Sequence, residues 1–219
     1  MRNSKVLLSI TGCLLALTIN FFTQTTSITK KQYENAQRIA EANLEKIPHI
    51  SSTKIEEYSD GKLNKTSIIS EESIPPKKMR WTEVETSGNE TTKLEIITIN
   101  YVEYRRENGG DWVKRDFGKS DEEGTAGGII VGQESPGKKK YTVETAKFNN
   151  QSVRIYSVST IYDFEPNNML TYRRWISANN LILKSEDIES EINSGKLIRQ
   201  ETVTREYNPK NLKIEAPIK

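Results

Sequence analysis

The residues that could do chemistry are few and scattered. His49 is the only histidine and Cys13 the only cysteine in 219 residues. A zinc or other transition-metal site wants several such ligands, so no metal is expected. A serine or cysteine triad needs a placed histidine base, and the nucleophile-elbow pattern G-x-S-x-G is absent. Asp187, Glu189 and Glu191 recur at every second position. Two carboxylates can divide acid and base roles, but period-two spacing on a strand reads more simply as a solvent-facing stripe. "GTAGGIIVG" (124–132) is glycine-rich, yet it lacks the Gly-Lys-Ser/Thr ending of a phosphate loop. "SDEEG" (120–124) is too loose for a calcium loop. Lys138, Lys139 and Lys140 could touch anionic headgroups at a membrane surface, though such a run is more simply a solvated one. His49 follows a helix end and reads as a solvated cap-region side chain. The set gives no catalytic residues and no cofactor, and the expected class is non-enzymatic.

The chain begins like an exported protein. Arg2 and Lys5 precede an uncharged apolar run, Val6 to Phe22, and small polar residues follow at Thr25, Thr26 and Ser27. That is the layout of a secretory signal peptide over 1–27, with an uncleaved N-terminal anchor as the alternative. "ITGC" (10–13) resembles a lipobox, but the apolar run continues past Cys13 and the lysine lies close, so lipidation of Cys13 is not favoured. Removing Arg2 and Lys5 takes 32 basic residues to 30, against 30 acidic ones. A nucleic-acid binder shows a basic excess, and this chain, with its leader removed, shows none. The expected location is periplasmic or secreted.

Residues 28–219 read as one domain. "TKKQYENAQRIAEANLEKI" (29–47) has helical apolar spacing, with Thr29 and Gln32 at capping-box spacing and Pro48 as a stop. Alternating runs follow: "HISSTKIEEYS", "KMRWTEVET", "TTKLEIITIN", "YVEYRRE" and "DWVKRDF". After a gap come "YTVETAKF", "SVRIYSVSTIYDF", "MLTYRRWIS", "LILKSEDIESEI" and "KLIRQETVTREYN". Asp60-Gly61, Ser87-Gly88-Asn89, Asn108-Gly109-Gly110, Asn149-Asn150 and Asn179-Asn180 mark turns. Residues 62–76 are polar and end in two prolines, and read as a loop. Residues 118–140 are rich in glycine, serine and charge, and read as a long flexible loop. One helix and nine to eleven strands predict a mainly β (α+β) fold. The expected form is a strongly curved antiparallel sheet, or half-open β-barrel, with the N-terminal helix packed on it. Its inner face could hold an apolar ligand.

Three stretches resemble a known family: "ITINYVEYRRENGGDWVKRD" (97–116), "YRRWISANNLILKSEDIES" (172–190) and "GKLIRQETVTREYNPKNLKIEAPI" (195–218). They look like the Tyr-Arg strand with its hairpin to Gly-x-Trp, and the closing strands, of the LolA/LolB-like family. That family includes outer-membrane lipoprotein-sorting proteins and mycobacterial LppX/LprG-type carriers of the bacterial envelope. The resemblance implies a half-open β-barrel with helices across its mouth, and a lipid, acyl chain or lipidated partner in the concavity. The second reading is an envelope sensor or protein-interaction module without a lipid ligand. Candidate ligand contacts are Trp81, Tyr104, Trp112, Tyr156, Val158, Tyr172, Trp175, Ile176 and Leu183. Alternation puts Tyr156 with Val158 on one face, Tyr172 with Ile176 on one face, and Arg173 opposite Arg174. Which face is the inner one is not fixed by alternation.

Overall fold

The computed structural model describes residues 25–118, 137–162 and 165–218. The expected leader up to residue 24, with Cys13, lies outside the described residues, as do 119–136 of the expected long loop. Thr26 and Ser27, at the end of the expected leader, form a short strand, β1 (Thr26–Ser27).

The helix α1 spans Lys30–Leu44. Its start is set by side-chain chemistry. The Gln32 backbone N–H donates to Thr29 Oγ1, and the Thr29 N–H donates to Gln32 Oε1 at 2.9 Å. Both bonds satisfy N–H groups that a helix start leaves orphaned. Tyr33 and Ala40 are the residues buried beneath it.

Eleven further strands follow: β2 (His49–Ser59), β3 (Lys62–Ile74), β4 (Lys78–Ser87), β5 (Glu90–Ile99), β6 (Val102–Glu107), β7 (Val113–Asp116), β8 (Gly137–Phe148), β9 (Gln151–Tyr162), β10 (Glu165–Ser177), β11 (Ile182–Glu191) and β12 (Leu197–Tyr207). They form one antiparallel sheet in the order β1-β8-β9-β10-β11-β12-β2-β3-β4-β5-β6-β7. The sheet is open, with β1 and β7 at its edges. β12 is the central seam: it joins the C-terminal meander β8–β12 to the N-terminal meander β2–β7 by pairing with β2. Left-handed backbone at Asp60-Gly61, Asn108-Gly109 and Asn149-Asn150 supplies the tight turns that the dipeptides signalled.

Four sequence expectations are corrected. Residues 62–74 are not a loop. They are β3, paired along its whole length with β2 and β4. The run is polar because neither of its faces is deeply buried, so the hydrophobic pattern carried little signal, and hydrogen bonding to two neighbours decides. Residues 165–168, read as a gap between the runs "SVRIYSVSTIYDF" and "MLTYRRWIS", lie within β10, where a register shift between Glu165 and Met169 absorbs the extra residues. Lys138, Lys139 and Lys140 belong to β8 rather than to a loop. His49 is not solvated: it is 5% exposed and opens β2. Its Nδ1 lies 3.0 Å from the Ile47 carbonyl oxygen, and its Nε2 lies 3.6 Å from Glu71.

Helix α1 lies across β8 to β11 on one face of the sheet. Ala36 and Ala40, being small, let it approach Tyr156, Ile176 and Ile182. The opposite face carries two separate apolar clusters. Val153, Ile155 and Trp175 form one, with Leu183 and Phe148 beside them. Ile97, Tyr104 and Ile214 form the other, with Trp112 at its margin. Ile214 comes from the tail after β12, which returns to cover this side of β5 and β6. Among the described residues no helix is long and apolar enough to cross a membrane.

Candidate functional site

The faces of the sheet sort the sequence-predicted residues. Tyr172 is directly opposite Val158 and Ile176 is opposite Arg154. With Tyr156 these side chains lie on the face that α1 covers. Trp81 shares that face but sits on β4, beyond the strands beneath the helix. Tyr104, Trp112, Trp175 and Leu183 lie on the opposite face, in the two apolar clusters. The nine candidates therefore do not form one surface; the structure brings together Tyr156, Val158, Tyr172 and Ile176.

Two flanks of α1 differ in chemistry. On the flank nearest the β8–β9 and β10–β11 turns, two clefts of about 410 and 480 Å³ share Ala36, Thr145, Arg154, Tyr156 and Asn180. Their walls mix polar and apolar side chains: Val153 and Ile176 in one, and Ile28, Ile39 and Val143 in the other, beside Thr145, Arg154 and Asn180. On the other flank a cavity of about 320 Å³ is walled by Tyr33, Tyr141, Tyr162, Tyr172 and Val158, with Gln37, Lys139 and Arg174 at its borders. Tyr33 from the helix meets Tyr141 from β8 with ring centroids 5.4 Å apart and planes tilted by 54°. Tilted aromatic contacts of this kind are favourable beyond the area they bury. Burial pushes the Tyr33 hydroxyl up to about 12. Burial also raises Tyr172, and the hydrogen bond to Tyr162 adds to it. These two hydroxyls stay protonated across the physiological range, so the tyrosines are neutral and amphipathic, and the charges at the cavity are Glu34, Lys139 and Arg174 at its borders.

Arg174 forms the boundary with a second, smaller cavity of about 170 Å³ beneath the C-terminal half of α1. Its walls are Leu44, Ile182, Val203, Ser185 and Arg205, with Glu41, Asp187 and Glu201. Arg174 donates to both carboxylate oxygens of Asp187, Nη2 to Oδ2 at 3.3 Å. Burial acts to lower the Arg174 pKa, but the Asp187 hydrogen bond and charge outweigh it and the net shift is upward. Asp187 is thus not part of a solvent-facing stripe; it is the counter-ion of a half-buried arginine. Glu189, two residues on, accepts from Asn168 at 3.0 Å. Arg205 Nη1 donates to Ser185 Oγ at 3.1 Å, and burial pulls its pKa down. Tyr207, on the same strand, donates its hydroxyl to the Ile182 carbonyl at 3.1 Å.

Sequence reasoning missed Tyr33, Tyr141, Ser185 and Arg205. One signal could have found Arg205. In "ETVTREY" the alternation that turns Val203 inward also turns Glu201, Arg205 and Tyr207 inward. The helix stripe contained Tyr33, but nothing in the sequence tells which strand it meets. Among the described residues no group of three or more His, Cys, Asp or Glu could hold a metal ion.

No family model matches the chain, and no curated protein matches it by sequence. Solved structures resemble it in shape. LprF from Mycobacterium bovis aligns at TM-score 0.47 and 10% identity, over 88% of this chain and 99% of that one. MucB aligns at TM-score 0.43 and 14% identity, over 85% of this chain and 62% of that one. A LolA superfamily protein from Nitrosomonas europaea aligns at TM-score 0.26 and 8% identity, over 78% and 91%. At these identities the likeness is one of shape alone.

Proposed function

We propose that this chain is a non-enzymatic protein of the bacterial envelope that binds a single-chain amphiphile, free or attached to a lipidated partner, along the flank of α1. The observation that supports this reading is the tyrosine-walled cavity between the helix and β8–β10. Tyrosine offers an apolar ring with a polar tip, which suits a ligand that is part chain and part headgroup. At about 320 Å³ the cavity is at the small end of ligand pockets, which span roughly 300–1,000 Å³. That size favours one acyl chain over two. Helix α1 forms one wall and is held to the sheet by few large side chains, so it can adjust to a chain sliding beneath it.

The test is a titration of delipidated full-length chain with a fluorescent fatty acid. Saturable one-to-one binding is expected. Gln37 is half-buried at the border of the cavity, so Gln37→Trp should fill the entrance and weaken binding at least ten-fold without lowering thermal stability. Absence of saturable binding, or binding indifferent to Gln37→Trp, overturns the reading.

A further inference from the structure

Arg205 is a half-buried cation that has no carboxylate of its own among the described residues. Among the described residues it makes one side-chain hydrogen bond, to Ser185 Oγ at 3.1 Å, and no ion pair. A guanidinium carries five N–H donors. Every nearby acid is engaged elsewhere or lies at the edge. Asp187 is paired with Arg174, and Glu201 accepts from Arg199 at 2.7 Å. Glu71 faces His49 at 3.6 Å. Glu41 is an exposed helix residue at the rim. A buried charge is costly unless it is paired and hydrogen-bonded. Arg205 faces the small cavity, and Arg174, held by Asp187, is the side chain that lines both it and the tyrosine-walled one.

We propose that Arg205 and Ser185 receive the carboxylate of a single-chain fatty acid whose tail lies in the tyrosine-walled cavity beyond Arg174. This rests on the amphiphile-binding reading above and adds the headgroup to it. A planar carboxylate matches the guanidinium fork with two parallel hydrogen bonds. Ser185 is already positioned against the same guanidinium. The class is narrowed by what else faces the cavity. Asp187, Glu201 and Glu41 repel negative charge, and a phosphate monoester, which carries up to two charges, meets more of that repulsion than a carboxylate.

Calorimetric titration of the delipidated full chain at pH 8 separates the possibilities. The ligands are palmitate, hexadecan-1-ol, hexadecyl phosphate and acetate, with the amphiphiles below their aggregation limits. Palmitate is expected to bind at least ten-fold more tightly than hexadecan-1-ol and than hexadecyl phosphate, with acetate too weak to compete. Arg205→Gln should bring palmitate down to the affinity that the same variant shows for hexadecan-1-ol. Equal binding of palmitate and hexadecan-1-ol to the unaltered chain overturns the headgroup assignment and leaves the amphiphile reading standing. Hexadecyl phosphate binding as tightly as palmitate, or acetate competing with it, also overturns the assignment. If neither palmitate nor the alcohol binds, both readings fall. The comparison on the unaltered chain decides the question even if Arg205→Gln does not fold.

Discussion

Arg173 and Arg174 are adjacent in the chain and act on opposite sides of the sheet. Arg174 pairs with Asp187 beneath α1. Arg173 reaches Glu144 at 3.1 Å and Glu186 at 3.4 Å on the other face, where its guanidinium also lies 4.8 Å from the Trp175 ring. The strand's period of two turns one basic dipeptide into two unrelated ion-pair systems. The difference in their surroundings is what makes one of them sensitive to loss of its partner.

That difference predicts unequal mutational costs. Arg174 shows 16% side-chain exposure against 34% for Arg173. Asp187→Ala leaves Arg174 half-buried with no counter-ion. The expected loss is about 2 kcal/mol, between the ~0–1 of exposed pairs and the ~3–5 of fully buried ones. Glu144→Ala leaves Arg173 with Glu186 and should cost less than about 1 kcal/mol. Urea unfolding of the two variants checks this, and equal costs would contradict the burial argument. The pair Arg174→Met with Asp187→Leu should recover most of the loss, because no isolated charge then remains.

The same physics explains what the sequence made legible. Tight turns with residues suited to left-handed backbone, such as Asp60-Gly61 and Asn108-Gly109, were visible because few residue types tolerate that conformation. The helix start at Thr29 was visible because its capping bonds are local. β3 was not visible. Its polar residues are held by hydrogen bonds to two strands, and backbone pairing leaves no trace in side-chain pattern. The site was half legible for a related reason. Alternation correctly grouped Tyr156 with Val158 and Tyr172 with Ile176. It could not say that Trp175 and Leu183 face away from the helix. That depends on which face α1 covers, a contact between residues far apart in the chain.

The tail after β12 is expected to hold the far half of the sheet. Ile214 is 1% exposed and packs with Ile97 and Tyr104 on the face opposite α1. β5, β6 and β7 lie at the sheet's edge, with no helix over them among the described residues. Ile214→Ala removes a buried aliphatic side chain from a small cluster and should cost about 2–5 kcal/mol. The loss should be local as well as global. Amide hydrogen exchange is expected to speed up in β5 and β6 while β9 and β10 stay protected. Uniform acceleration across all strands would show instead that the sheet melts as one unit.

Helix docking should have its own pH signature. A tyrosine in an unfolded chain loses its proton near pH ~10, whereas burial holds Tyr33 protonated up to about 12 in the folded protein. Between those values the folded state binds more protons than the unfolded one, so linkage requires stability to fall as pH rises. Below about pH 10 both states are protonated and this residue contributes no slope. Tyr172, also raised by burial, acts in the same direction. Tyr33→Phe keeps the ring against Tyr141 and removes the titrating group, so its stability should fall less steeply over that window than that of the unaltered chain. Thermal melts at intervals from pH 8 to pH 12 measure the slope, and absorbance at 295 nm follows the tyrosinates. If the Phe variant loses stability just as steeply, the alkaline transition does not involve the α1–β8 contact. If it loses less, Tyr33 ionisation supplies part of the alkaline loss of stability.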